Sequence, residues 1–117
     1  YNIFMLCDNI LKNLPPDGTQ EVSQILLQNS IIKIERIISH GEVTSKDFWY
    51  DQAEDEFVIL ASGSAIIEYE DHRTVTLQTG DYLYIPSHQK HRVQYTDTSC
   101  DTIWLALFFK SEPIDEQ

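Results

Sequence analysis

Two spaced sets of residues mark the part of this chain where chemistry could be done. Six residues separate Glu56 from Gly63. Five separate Gly80 from Pro86, and four more separate Pro86 from His91. A carboxylate and an imidazole brought to one place can do two kinds of work. With about one further ligand they can hold a divalent metal. Without metal they form an acid–base pair able to move a proton on a small sugar or keto acid. Apolar walls would raise the pKa of such a glutamate, and a nearby imidazolium would lower it.

The segments that must carry these residues read as β. Gln24–Gln28 is a short apolar run, Asn29-Ser30 a tight turn, and Ile31–Ser39 an Ile-rich run in which Ile32 and Ile34 alternate with Lys33 and Glu35. The two runs predict a hairpin. His40 to Asp47 is loop-like, Phe48–Tyr50 a short aromatic strand, and Asp51–Asp55 an acidic turn. Further strands are predicted at Phe57–Ala61, Ser64–Glu70, Arg73–Gln78, Asp81–Ile85, Arg92–Tyr95 and Asp101–Phe109. Strand side chains alternate, so Phe48 and Tyr50 share the face opposite Trp49. Eight to ten short strands at a spacing of about 8–12 residues predict an all-β sandwich or barrel, not βαβ units. Asn2 to Leu14 fits a short helix or a strand with a turn, ended by Pro15-Pro16-Asp17-Gly18.

The chain has 117 residues, 42% of them hydrophobic, enough for one domain with a core. The expectation is a single domain over 1–117, with a core barrel at about 24–109 and a polar tail at 110–117. Nineteen acidic residues against eight basic ones give a net charge of -11. That surface repels phosphate backbones and anionic lipid, so neither a nucleic acid nor a membrane is an expected partner. No stretch approaches the ~20 apolar residues that span a bilayer. Cys7 and Cys100 do not make a disulfide framework and read as free thiols of a cytoplasmic protein.

The segment from about Gly41 to Phe109 resembles a single cupin domain, on the strength of Glu56, Gly63, Gly80-Asp81, Ile85-Pro86 and His91 at these offsets. Gly63 would allow a sharp bend, Gly80 a turn, and Pro86 would end a strand where no donor is needed. The resemblance implies a small β-barrel of the double-stranded β-helix or jelly-roll type. It also implies a metal held by a His-x-His pair, the glutamate and the later histidine. Where the pair belongs, this chain reads Trp49-Tyr50-Asp51-Gln52, and where a glycine often follows the proline it reads His88. One register puts Trp49 and Asp51 at the pair, the other Tyr50 and Gln52.

Carried over residue by residue, the resemblance gives Glu56 and His91 as ligands, with Asp51 and His88 as substitutes. Mn, Fe, Ni or Zn are the candidate metals, with Mn favoured by oxygen-rich ligation. Losing a partner that only orients a ligand already costs ~10–100-fold in affinity. The alternatives are a hydrogen-bonded His91 lining the barrel and a structural Glu56 paired with Arg92 or a tyrosine hydroxyl. Trp49, Glu54, Tyr84 and Tyr95 are candidate pocket residues, His40 a weaker one, and His72 a solvated turn residue. The last strand is apolar on both faces, Ile103 to Phe109, so a homodimer covering the outer face is expected. Three functions follow: binding of a small polar molecule, a metal-dependent isomerase, decarboxylase or dioxygenase, or a filled structural barrel.

Overall fold

Runs of β-branched and aromatic residues, cut by Asn, Asp and Gly turns, dictate the architecture. The computed structural model describes residues 7–15 and 20–113. Eight strands follow in order: β1 (Val22–Gln28), β2 (Ile32–Ser39), β3 (Asp55–Ser62), β4 (Ser64–Tyr69), β5 (Thr74–Gln78), β6 (Tyr82–Ile85), β7 (His91–Thr96) and β8 (Thr102–Phe109). They form a five-stranded sheet, order β1-β2-β8-β3-β6, facing a three-stranded sheet, order β5-β4-β7. Among the described residues there is no helix, so none long and apolar enough to cross a membrane.

The turns are those the sequence marks. The Asn29 side-chain oxygen accepts from the backbone N–H groups of Ile31 (2.8 Å) and Ile32 (2.9 Å), which reverses the chain between β1 and β2. Asp71-His72 turns β4 into β5, and Thr79-Gly80 turns β5 toward β6. Three expectations need correcting. Residues 7–15 form a turn and no helix, with Lys12 N–H donating to Asn9 C=O; the rest of the Asn2–Leu14 segment up to residue 6 lies outside the described residues. Phe48–Tyr50 is not a strand, because only Tyr50 pairs, in an isolated bridge to His91. Cys7 and Cys100 read from sequence as free thiols lying in apolar or β-like stretches; both are free, but both are exposed.

Register fixes which side chains meet. Residues directly opposite on paired strands point to the same face. Glu35 and Ile37 of β2 lie opposite Ala106 and Trp104 of β8, and Glu56 and Val58 of β3 lie opposite Phe108 and Ala106. This is the inner face. Its apolar members join Ala65, Ile67 and Tyr69 of β4 and Leu77 of β5 in the core. The outer face of β8 carries Ile103, which is buried, and Leu105, Leu107 and Phe109, which are half-buried in the single chain. At one end Arg36 is buried on that outer face. Its guanidinium donates to the carbonyls of Ile10, Lys12 and Asn13 and to the Gln24 side chain, which docks the N-terminal turn.

Gly63 sits between β3 and β4 at φ +92°, and a Cβ there would lie 2.5 Å from Thr102 Oγ1 and 2.8 Å from Thr102 Cα. Gly80 has φ +94° but open space around it. Gly63→Ala is therefore expected to destabilise by about 2–4 kcal/mol, from backbone strain plus overpacking, and Gly80→Ala by only about 1 kcal/mol. Urea unfolding of both variants checks this. Equal losses would mean that Thr102 does not crowd Gly63.

Candidate functional site

Glu56 comes from β3 and His91 from the first position of β7, and the ladder turns both inward. Both are buried, at 8% and 5% exposure. Tyr50 holds them in place through its bridge to His91: Tyr50 N–H donates to His91 C=O (2.8 Å), and His91 N–H donates back (3.2 Å). The Tyr50 ring lies against the imidazole, centroids 5.7 Å apart and 27° between planes. Gln52, two residues on, donates from its amide to Glu56 Oε1 at 3.0 Å.

The tautomer of His91 follows from its partner. Its Nδ1 lies 2.9 Å from the carbonyl of Gln89, which can only accept, so Nδ1 carries a hydrogen and donates. Nε2 is left facing Glu56 Oε1 at 3.7 Å. A protonated Glu56 could donate toward the Nε2 lone pair. Burial is the main cause that pushes the Glu56 carboxyl above its ordinary range. The charge of Glu35 pushes it further, while the Gln52 hydrogen bond and His91 oppose the rise. The Tyr50 phenol is raised too, first by burial and then by the charges of Glu21 and Glu56, and a hydrogen bond to Thr44 opposes it.

These groups wall a cavity of about 330 Å³ between the two sheets. Val58, Ile67 and Trp104 belong both to the core and to this wall, so apolar packing passes directly into the cavity. Ile37, Val43, Ile85, Val93 and Phe108 complete the aliphatic and phenyl lining. Glu21, Glu35 and Glu42 add carboxylates, and Ser23, Ser39 and Thr44 add hydroxyls.

The other residues singled out in the sequence lie elsewhere. Asp51 and His88 pair with each other at 2.7 Å, exposed, and do not join Glu56 and His91. They clamp two loops together, helped by His88 N–H donating to Gln52 C=O at 2.7 Å. His88 has φ +61°, the left-handed backbone a glycine adopts freely at this point of the turn. Trp49 does not line the cavity; the Arg92 guanidinium lies 5.6 Å from its ring. Arg92 itself bonds Glu68 at 2.6 Å and leaves Glu56 alone. Tyr84 donates to Asp55 at 3.0 Å on the outer face. Tyr95 is exposed, and Glu54 lines a separate shallow concavity beside Lys110. His40 pairs with Asp101 at 2.7 Å, and His72 is exposed beside Glu68.

A cupin domain family model matches residues 35–108, more than half of the chain. The chain belongs to the cupin family. Among solved structures, this cupin is similar to a protein of Ralstonia eutropha named a "putative mannose-6-phosphate isomerase", with 40% identity and a TM-score of 0.85 over 90% of this chain and 98% of that one. A cupin superfamily protein of Desulfitobacterium hafniense (19% identity, TM-score 0.69, 84% of each chain) shares the fold. So does a cupin-2 domain protein of Shewanella frigidimarina (18%, 0.62, covering 76% and 80%). A search of curated proteins finds no match.

Tyr50 and Gln52, the second of the two registers, are the residues this cupin places beside Glu56 and His91. Cupins commonly bind divalent metals, but the donor set here does not fit a resident one. Such a site takes about three protein ligands. Only Glu56 and His91 converge, Gln52 turns its amide N–H toward the carboxylate, and among the described residues no three His, Cys, Asp or Glu groups could share an ion.

The sign of the Glu56 shift sets a pH dependence. A carboxyl raised by folding contributes stability below its ordinary range and loses it as pH rises through the raised value. Glu56→Gln keeps the shape and removes the charge. It is expected to raise the thermal unfolding midpoint near pH 7 and to leave it nearly unchanged at about pH 4, where the carboxyl is largely protonated in both states. A gain of the same size at both pH values would mean that burial of the charge is not its source.

Proposed function

We propose that this cupin binds a small polar molecule inside its barrel, against Glu56 and His91. One observation carries the reading. His91 is buried, its Nδ1 is fixed by Gln89, and among the described residues nothing hydrogen-bonds its Nε2, which faces a cavity of about 330 Å³. No buried side-chain nitrogen or oxygen among the described residues lacks a partner, so Nε2 is open to the cavity itself, where a polar group of a ligand can meet it. A cavity of this volume lies at the small end of ligand sites, which run about 300–1,000 Å³. A barrel filled for packing alone would accept Leu or Val at both positions.

A second reading has a specific observation behind it. Burial raises the Glu56 carboxyl above its ordinary range, and His91 stands beside it as a second group able to exchange a proton. Together with the printed name of the 40% identical Ralstonia protein, this supports proton transfer on a bound carbonyl compound, as in an isomerase, with Glu56 as the base and His91 as its partner.

Trp104 lines the cavity and Trp49 does not, so a Trp49→Phe protein reports the cavity through one indole. In that background a panel of pentoses, hexoses, short keto acids and amines is expected to contain members that change Trp104 emission. His91→Ala should weaken them about tenfold or more, the worth of a buried hydrogen bond to a charged or polar ligand. Proton transfer would show as deuterium uptake from heavy water at the carbon beside the carbonyl, lost in Glu56→Gln. A panel that leaves Trp104 unmoved, or an affinity indifferent to His91→Ala, would contradict the binding reading.

A further inference from the structure

The charge of the cavity wall narrows the ligand class. Four carboxylates line it, Glu21, Glu35, Glu42 and Glu56, and no Lys or Arg does. Each of the four has one oxygen engaged within the protein: Glu21 accepts from Ser39 Oγ at 2.9 Å, Glu42 from the His40 N–H, Glu56 from Gln52, and Glu35 pairs with Lys33 at 3.1 Å. Among the described residues no hydrogen bond reaches their second oxygens. The neutral wall is aromatic and aliphatic, with Tyr50, Trp104 and Phe108 among its members.

One cation of the chain already meets part of this wall. Lys33 lines the neighbouring concavity, with its ammonium 5.0 Å from the centre of the Phe108 ring, which borders both, and 3.1 Å from Glu35. An alkylammonium is thus already held between an aromatic face and a lining carboxylate, the arrangement by which rings and anions bind cations together.

We propose that the barrel cavity selects a small organic cation, an amine or guanidine, whose charged head meets the glutamates while its carbon frame packs on Tyr50, Trp104 and Phe108. This rests on the binding reading above and adds the charge. A bare metal ion would leave the apolar wall unused, and no three ligating groups converge for it. A phosphorylated sugar would bring its dianion among four carboxylates, with no Lys or Arg among the described lining residues to receive it.

Isothermal titration calorimetry of the intact chain with matched probes tests this. The probes are 1,4-diaminobutane against 1,4-butanediol, glucosamine against glucose, then mannose 6-phosphate and Mn²⁺. At low ionic strength at least one of the two amines is expected to bind about tenfold or more tighter than its neutral partner, as a charge-assisted contact should. That preference should shrink in about 0.5 M salt and should fall in Glu35→Gln and in Glu21→Gln, each checked for an unchanged unfolding midpoint. Binding of a neutral probe or of mannose 6-phosphate as tight as the amines would overturn the charge proposal and leave the cavity reading standing. Stoichiometric Mn²⁺ binding that displaces the amines would overturn it in favour of a metal. Heat from none of the probes, together with a silent Trp104, would sink both readings.

Discussion

A carboxyl group and an imidazole set side by side away from water must settle where one proton sits, and the site depends on how that is settled here. The Gln89 carbonyl takes the hydrogen on His91 Nδ1 and so decides the tautomer. Nε2 is left with the ring's lone pair, 3.7 Å from Glu56 Oε1. Burial favours a neutral Glu56. Gln52 satisfies one carboxylate oxygen, and among the described residues no hydrogen bond reaches Nε2. A pair balanced like this responds to whatever enters the cavity, which a purely structural hydrogen bond would not.

The rest of the structure can be read as what keeps that pair in place. The β3–β8 register sets Glu56 opposite Phe108, and the β4–β7 register sets His91 opposite Tyr69, so the two groups come from different sheets and meet across the barrel. The bridge to Tyr50 and the Asp51–His88 clamp hold the intervening loop on the barrel mouth. The core of Val58, Leu60, Ala65, Ile67 and Leu77 closes the barrel beside the cavity, so apolar packing stabilises the fold while the polar wall is left free for binding.

Much of this was legible in the sequence, for physical reasons. Turn chemistry at Asn29, Asp71-His72 and Thr79-Gly80 is local, so the strand limits deduced from it agree with the observed ones to within one or two residues at nearly every end. Glu56 and His91 lie on strands, where alternation fixes direction, and the structure places them together. The loop residues were harder to read. Period-two alternation says nothing about where Asp51, His88 or Glu54 point, and Asp51 found His88 before it could reach Glu56. Trp49 could have been left out of the cavity from the sequence had the register with Tyr50 at the motif been chosen. The carboxylates of Glu21, Glu35 and Glu42 went unrecognised because a polar strand face looks like a solvent face until the sheet closes. Glu35 alternates with Ile34 as any edge residue would, and only the register with Ala106 shows that it faces inward.

The central claim is that Glu56 and His91 are kept for a ligand and not for the fold, and the unfolding free energy of a Glu56→Leu/His91→Leu protein tests it most directly. Replacing both members of a buried polar pair by apolar groups of similar size is often neutral or stabilising, unless the pair anchors other parts of the structure. The account predicts a urea midpoint equal to or above that of the native protein, with ligand-dependent change in Trp104 emission abolished. A fall of more than about 2 kcal/mol, the scale of a broken structural network, would show that the pair holds the barrel together and would contradict the account.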